Sequence, residues 1–135
     1  MNQLKGVEQK VIESYMYLQK CRFSDRLTFY SQVQEEIENA YIPKMILQPL
    51  LENSVVHGIE ENSAVEVVLK GWIAKNEIIF VVSDNGKGIS KEKREELEKA
   101  LEDNSISAHI GMSNVHQRLR KIYGPSYGLK IGKKE

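Results

Sequence analysis

The sequence is short of several features that would each point to a class of protein. Its 135 residues include one cysteine, three prolines and no excess of either charge. A single cysteine excludes an intramolecular disulfide and agrees with a reducing compartment, so we expect Cys21 to be a packing residue. Nineteen basic residues balance nineteen acidic ones, which argues against a nucleic-acid partner. No apolar run approaches the ~20 residues that cross a bilayer, and the N-terminus is not a signal peptide. Any membrane anchor would therefore lie outside this sequence.

What the chain does contain is the composition of a soluble globular protein. Hydrophobic residues make up 41% of it and charged residues 28%, a balance typical of folded domains and not of disordered tails. A length of 135 residues suits one domain with a substantial core.

The N-terminal half predicts a helix, a strand and a second helix. The first helix would end near Cys21 and bury the apolar residues spaced by four, four and three: Val7, Val11, Tyr15 and Leu18. Alternation in "RLTFYSQV", residues 26–33, favours a half-buried strand. The second helix would begin at Pro43, bend at Pro49 and end at Gly58. One face of it would carry Ile46, Leu50, Asn53 and His57.

The C-terminal half predicts a hairpin, two helices and a last strand. "AVEVVLKGWI" and "EIIFVV" flank a short polar connection at Lys75-Asn76, which indicates an antiparallel hairpin with its second strand central. A charged helix capped by Ser90 would run to about Glu102. A second amphipathic helix, with apolar residues from Met112 to Ile122, would stop at "GP", residues 124–125, before the strand candidate "YGLKIG". The order predicts an α+β fold with a mixed, mostly antiparallel sheet and helices on one face.

The first stretch with candidate chemistry is "LLENSVVHG", residues 50–58. The Asn53 amide oxygen is a hard ligand suited to Mg²⁺, which takes one or two protein groups together with substrate phosphates. Glu52 beside it could orient or deprotonate a group in the same site, and His57 lies one turn further along. The alternative is structural: an asparagine bonded to a loop, a solvated glutamate and a satisfied core histidine.

The second stretch, "SDNGKGI", follows the most hydrophobic strand. Asp84 could accept a hydrogen bond from an exocyclic amine, while Gly86 and Gly88 allow the backbone to approach a ligand closely. A plain Asp-Asn-Gly turn is the structural alternative.

The third stretch, "IGMSNV", opens the last predicted helix. Gly111 frees the backbone there, and the N–H groups of a first helical turn form a ready phosphate site. The alternative is a glycine before an ordinary helix.

In this order the three stretches resemble the nucleotide-binding domain of the GHKL ATPase superfamily. More closely, "IPKMILQPLLENSVVHG", "VSDNGKGI" and "IGMSNVHQRLRKIYG" resemble the N, G1 and G2 boxes of LytS-like sensor histidine kinases. "YMYLQKCRFSDRLTF" resembles the linker that precedes the kinase domain in that family. The resemblance covers nearly the whole chain and implies the two-layer α/β sandwich known as the Bergerat fold.

The resemblance implies a role for each matching residue, with ATP and Mg²⁺ as cofactors. Asn53 would bind the metal that bridges the ATP phosphates, and Glu52 would be the catalytic residue that assists phosphoryl transfer. Asp84 would hydrogen-bond the adenine amino group, and the segment from Ser90 to Ile110 would form the lid over ATP. The other implied nucleotide-binding residues are His57, Gly86, Gly88, Ile89, Gly111, Met112, Asn114 and Arg118.

Three departures from the family pattern bear on activity. Val56 occupies the position where the family usually has a lysine, which would place a positive charge near phosphate. Residues 107–109 read Ser-Ala-His where further glycines usually open the G2 box, which should stiffen the lid hinge. His116 stands where an arginine is frequent.

The resemblance also implies a larger protein. Residues 1–24 would be the end of a dimerisation-helix and linker segment, and residues 25–135 an ATP-binding catalytic domain with its C-terminal strand truncated. None of His57, His109 and His116 lies in an H-F-x-F-N-like motif, so the phosphoacceptor histidine would lie outside this sequence and the chain would not phosphorylate itself.

The implied partners are ATP, the phosphoacceptor helices of the same kinase, a second copy in the full-length homodimer and a response regulator. The implied location is the cytoplasmic part of a membrane-bound bacterial sensor. One alternative is a degenerate GHKL module that binds nucleotide without kinase activity. Another is an anti-sigma serine kinase or a topoisomerase-like ATPase, against which the linker "YMYLQKCRF" argues.

Overall fold

A computed structural model describes residues 1–62, 64–85, 91–103 and 110–131. The backbone falls into two compact units, Met1–Gly86 and Lys87–Glu135. Among the described residues no helix combines the length and the apolar character needed to cross a membrane.

The N-terminal unit contains two main helices and a three-stranded sheet. Helix α1 spans Gln9–Phe23 and follows a π-helical turn at Leu4–Glu8, while helix α2 spans Gln48–Asn62. The strands are β1 (Asn2–Gln3), β2 (Leu27–Val33), β3 (Tyr41–Ile42), β4 (Val65–Ala74) and β5 (Glu77–Asp84). Short 3₁₀ turns at Ser24–Arg26 and Glu35–Ile37 flank β2.

The main sheet has the order β2-β4-β5 and is mixed. β2 runs parallel to β4, with Leu27 opposite Val65, and β5 returns antiparallel to β4. Lys75 and Asn76 form the connecting turn with φ of 52° and 64°, which is the left-handed pair that a tight two-residue hairpin requires. The hairpin prediction is confirmed. β1 and β3 form a separate two-stranded antiparallel sheet that is too short to leave a pattern in the sequence.

The core of this unit lies between α2 and one face of the main sheet. Val65, Val67 and Leu69 of β4 are buried on that face, and Leu51 and Val55 of α2 are fully buried. Since α2 contacts both β4 and β5, helix and sheet form two packed layers. The predicted α+β sandwich is confirmed.

The prediction that β5 is central is wrong for the described strands. β5 is an edge strand, and Ile78, Ile79 and Val81 each remain 37–38% exposed. An apolar run on both faces predicted burial on both faces, but the described sheet has α2 on one face only.

The buried face of α1 also differs from the prediction. Val7 and Leu18, expected in the core, are 45% and 63% exposed. The buried residues of α1 and of the π-helical turn before it recur at every fourth position and include a carboxyl group: Leu4, Glu8, Ile12 and Met16. Counting apolar residues favoured the helix face without a charged residue, and this is why the prediction missed the buried face that contains Glu8. Cys21, expected to pack, is exposed.

Helix α2 begins later and ends later than predicted. Ile46 precedes it, and Pro49 is its second residue, where proline removes no helical hydrogen bond and need not bend the axis. Gly58 lies within the helix, four residues before its end at Asn62.

The second unit contains a pair of packed helices. Helix α3 spans Lys91–Asp103 and helix α4 spans Ile110–Tyr123, and the two helices contact each other. Their buried apolar residues are Leu97, Leu101 and Val115. Gly124 ends α4 with φ of 115° and donates its N–H to the Arg120 carbonyl at 2.9 Å, as predicted.

Two further predictions concern this unit. The strand candidate "YGLKIG" forms no strand over residues 127–131, and residue 132 lies outside the described residues. The Ser90 cap and the Ser-Ala-His stretch at residues 107–109 also lie outside them.

Candidate functional site

Helix α2 presents three of the predicted site residues beside its buried seam. Leu51 and Val55 face the sheet, while Glu52 is exposed and Asn53 and His57 are half-buried. Glu52 is held from the preceding turn, because its Oε1 accepts a hydrogen bond from Gln48 Nε2 at 2.8 Å. This bond orients the Glu52 carboxylate but uses only Oε1, so Oε2 is not engaged by Gln48.

Asn53 has the chemistry of a ligand to nucleotide-borne Mg²⁺. Its amide makes no side-chain hydrogen bond to the rest of the described chain, and the residue is half-buried. Within the described ranges no cluster of three or more His, Cys, Asp or Glu residues could hold a metal unaided. Mg²⁺ in phosphate-transferring sites needs only one or two protein ligands. The residues therefore fit a metal that arrives with phosphate.

Gly58 has a packing role that the sequence prediction missed. A Cβ atom at this position would lie 2.1 Å from Val65 Cγ2 and 2.5 Å from Val65 Cβ. Only glycine allows α2 to lie this close to β4. The contact places the C-terminal half of α2 over the first residues of β4.

Asp84 lies at that same end of the sheet. It is the last residue of β5, is half-buried and pairs with Val67 of β4. Asn85 extends the pairing, since its N–H donates to the Glu66 carbonyl at 3.1 Å and its Oδ1 accepts the Glu66 N–H at 2.8 Å. The start of the "DNGKGI" stretch is therefore fixed to β4 beside the residues that α2 covers. Gly86, Gly88 and Ile89 lie outside the described residues.

The remaining predicted residues lie on α4 in the second unit. Gly111, Met112 and Arg118 are half-buried and Asn114 is exposed. Ser113, which the sequence did not single out, is fully buried, and its hydroxyl has no hydrogen-bond partner in the described part of the chain. The structure thus brings Glu52, Asn53, His57 and Asp84 to one unit and places the G2-box residues on one helix of the other.

His116 has a defined structural role in the second unit. It is buried, and its Nδ1 accepts the Leu129 N–H at 3.0 Å, which ties the chain after α4 back to that helix. Its Nε2 lies 3.4 Å from Glu102 Oε1 of α3 without hydrogen-bond alignment. Glu102 also accepts a 2.6 Å hydrogen bond from Arg120, and this bond is the main reason why the pKa of Glu102 is lowered. The sequence around His116 contains no pattern that predicts its contacts with Leu129 and Glu102.

The phenol of Tyr15 in α1 interacts electrostatically with Glu52. Burial raises the pKa of the Tyr15 phenol to about 12, the negative charge of Glu52 adds to the rise, and Arg22 opposes it. α1 and α2 are in contact, so Tyr15 belongs to the electrostatic surroundings of the candidate catalytic carboxylate.

Comparison with known proteins identifies relatives over most of the chain. The family profile described as "Histidine kinase-, DNA gyrase B-, and HSP90-like ATPase" matches residues 39–133. The uncharacterised protein YwpD of Bacillus subtilis (strain 168) is 36% identical over 124 residues, which cover 87% of this chain and 41% of YwpD. An uncharacterised sensor-like histidine kinase of Staphylococcus epidermidis is 30% identical, and the sensor protein kinase HptS of Staphylococcus aureus (strain USA300) is 29% identical. Each of these two matches covers 92% of this chain and 24% of the relative. The chain thus spans less than half the length of these relatives.

Proposed function

The chain belongs to the histidine kinase-, DNA gyrase B- and HSP90-like ATPases, and on that premise we propose that it is the ATP-binding catalytic domain of a two-component sensor histidine kinase. It would transfer the γ-phosphoryl group of ATP to a histidine outside this sequence. The observation that carries the proposal is that α2, the helix that bears Glu52 and Asn53, lies against β4 at the end of the sheet where Asp84 is found, because the two ends of a nucleotide need binding groups in one place.

The adenine end of the nucleotide is assigned to Asp84. A carboxylate that is half-buried at a strand end can accept a hydrogen bond from an exocyclic amine in surroundings drier than bulk water. The backbone of Asp84 is fixed by its pairing with Val67 and by the two hydrogen bonds between Asn85 and Glu66. The Asp84 carboxylate is therefore positioned before the nucleotide binds. The pocket around the base would be completed by Gly86, Gly88 and Ile89.

Within the N-terminal unit, the phosphate end is assigned to α2. Bound Mg²⁺ would neutralise phosphate charge, and Asn53 would hold it through its amide oxygen. Glu52, oriented by Gln48, would accept a proton from the attacking group. The first turn of α4 carries backbone N–H groups suited to phosphate. By the family resemblance, the other residues implied for nucleotide binding are His57, Gly111, Met112, Asn114 and Arg118.

The proposal is tested first by nucleotide binding. At 100 times its dissociation constant, Mg-ATP should stabilise the chain by about 2.7 kcal/mol in a thermal-shift titration. Asp84→Ala removes the acceptor and should remove the shift, whereas Asp25→Ala, a matched change at an exposed turn, should leave it intact. Absence of a shift in the unaltered chain, together with no effect of Asp84→Ala, would contradict nucleotide binding.

Kinase activity needs a separate test, because Val56 replaces the usual lysine and favours a second candidate, a nucleotide-binding module without activity. The full-length protein, with its dimerisation helices, should acquire acid-labile phosphate from labelled ATP and pass it to a response regulator. Glu52→Gln should abolish the labelling and leave nucleotide binding in place. Binding without any acid-labile phosphate would favour the inactive module. The same full-length protein would show whether it forms a homodimer at a membrane.

A further inference from the structure

Glu8 is a buried carboxyl group that the sequence pattern did not predict. It is 4% exposed and ends the π-helical turn that leads into α1. A carboxyl group is almost never buried to this extent unless it has partners. In the described part of the chain Glu8 has two partners: its Oε1 accepts the backbone N–H of Met45 at 2.6 Å, and its Oε2 accepts a bond from Asn2 Nδ2 at 3.4 Å.

The shorter of these bonds reaches the segment that starts α2. Met45 has φ of 59°, a left-handed conformation that is uncommon for a residue other than glycine and must be held by its surroundings. Two residues later, the Leu47 carbonyl accepts the N–H groups of Leu50 and Leu51, both at 3.1 Å, and so begins the helix. Glu8 thus fixes the backbone immediately before the first carbonyl of α2.

The two halves of α2 are held by different contacts. Its second half rests on β4 through Gly58 and Val65, a contact that does not involve Glu8. Glu52 and Asn53 lie in the first half, and Asn53 is six residues, or about 9 Å of helix, beyond Leu47. Leu51 and Val55 also hold α2 against the sheet, so removing the Glu8 bond would shift the start of the helix while its second half stays in place.

We propose that Glu8 is a positioning residue for the metal-phosphate end of the site, which it sets by fixing the start of α2. The inference rests on the proposed nucleotide-binding function and adds a route by which the N-terminal segment governs it. A movement of the turn before α1 that breaks the Glu8–Met45 bond would release the Asn53 amide from its binding position. The adenine end, which depends on Asp84 and β4, would not be affected.

The test separates the two ends of the nucleotide. The dissociation constant of ATP is measured with and without Mg²⁺ in the unaltered chain, in Glu8→Leu and in Glu8→Gln. Leucine fills a similar volume but removes the acceptor, whereas glutamine keeps a carbonyl oxygen for the Met45 N–H. The Mg²⁺-dependent gain in affinity should fall by about tenfold in Glu8→Leu, the lower end of what losing a residue that orients a metal ligand costs. It should be retained in Glu8→Gln, and Mg²⁺-free affinity should stay within about twofold in both.

Three controls make the result decisive. Glu13→Leu, a matched change at an exposed position of α1, should change neither affinity. Asn53→Ala should lose the same Mg²⁺-dependent gain as Glu8→Leu. If Glu8→Leu does not fold, Glu8→Asp serves instead, because the carboxyl group remains but is one methylene too short to reach Met45, and the gain should still fall.

The outcomes distinguish the inference from the proposed function. A full Mg²⁺-dependent gain in the folded Leu or Asp variant would overturn the positioning role while nucleotide binding stands. Equal loss of affinity with and without Mg²⁺ would also overturn it, because it would show a general structural defect. If the unaltered chain binds ATP under neither condition, the proposed function itself fails.

Discussion

Replacing Gly58 by alanine tests the seating of α2 on the sheet, on which the site depends. At an exposed helical position this change should stabilise the protein by about 1 kcal/mol, because alanine has the higher helix propensity. At Gly58 the added Cβ would lie 2.1 Å from Val65 Cγ2 and 2.5 Å from Val65 Cβ. Carbon atoms in favourable contact are about 3.5–4.0 Å apart.

The close contact should outweigh the gain in propensity. Val65 is 3% exposed and belongs to the central strand, and a new rotamer could move Cγ2 but not Cβ. The helix or the strand must therefore shift, and overpacking of this kind typically costs about 1–3 kcal/mol. We place the net effect of Gly58→Ala at about 1 kcal/mol of lost unfolding free energy. With m of about 2 kcal/mol/M, the urea midpoint should fall by about 0.5 M.

Equilibrium urea unfolding, followed by circular dichroism, measures this difference. Gly6→Ala is the matched control, since the nearest atom to its added Cβ is Gln3 Oε1 at an ordinary 3.5 Å, and its midpoint should stay or rise. In a Val65→Ala background the cost of Gly58→Ala should shrink, because the nearest atom is gone. A Gly58→Ala protein as stable as the unaltered chain, at unchanged m, would refute the close approach of α2 to β4.

Three further changes have defined outcomes. Val56 is 49% exposed, so Val56→Lys should leave the urea midpoint unchanged and tighten Mg-ATP binding in a titration; unchanged affinity would show that the missing lysine is not a deficit. The pKa of the Tyr15 phenol rises from 10.0 to about 12 in the folded chain, which therefore holds the phenolic proton more tightly than the unfolded chain. The protonated phenol of Tyr15 contributes fully to the unfolding free energy below pH 10, and this contribution is lost between about pH 10 and 12. Absorbance titration should detect that phenol, and Glu52→Gln should lower its pKa. His116→Ala removes the acceptor of the Leu129 N–H, which should cost about 1–3 kcal/mol in urea unfolding and speed hydrogen exchange at that amide; unchanged exchange would contradict the bond.

Local chemistry made several elements predictable from the sequence. The turn at Lys75 and Asn76 follows from two apolar strands joined by two polar residues, and Gly124 ends α4 because glycine tolerates positive φ. The polar stretches also indicated which residues to examine for chemistry. In each case the signal lies within a few consecutive residues, so no knowledge of distant partners was required.

The errors and omissions occur where a distant partner decides the structure. The parallel pairing of β2 with β4 joins residues 38 positions apart, and no short pattern encodes it. Gly58 looked like a helix end because Val65, which requires a glycine there, belongs to another element. Glu8 broke the apolar pattern of the buried face of α1, since its compensating donor, Met45, lies 37 residues away.

The polar residues of α2 need no ligand to offset a burial cost. Burial of such groups without partners would cost several kcal/mol. Instead Leu51, Val55 and Gly58 face the sheet, while Glu52 is exposed and bonded to Gln48. Asn53 makes no side-chain hydrogen bond to the described chain, so its replacement should change metal-dependent binding more than the unfolding free energy. Such a helix keeps its packing residues separate from its candidate chemical residues, which allows the bond at Glu8 to adjust the site without endangering the fold.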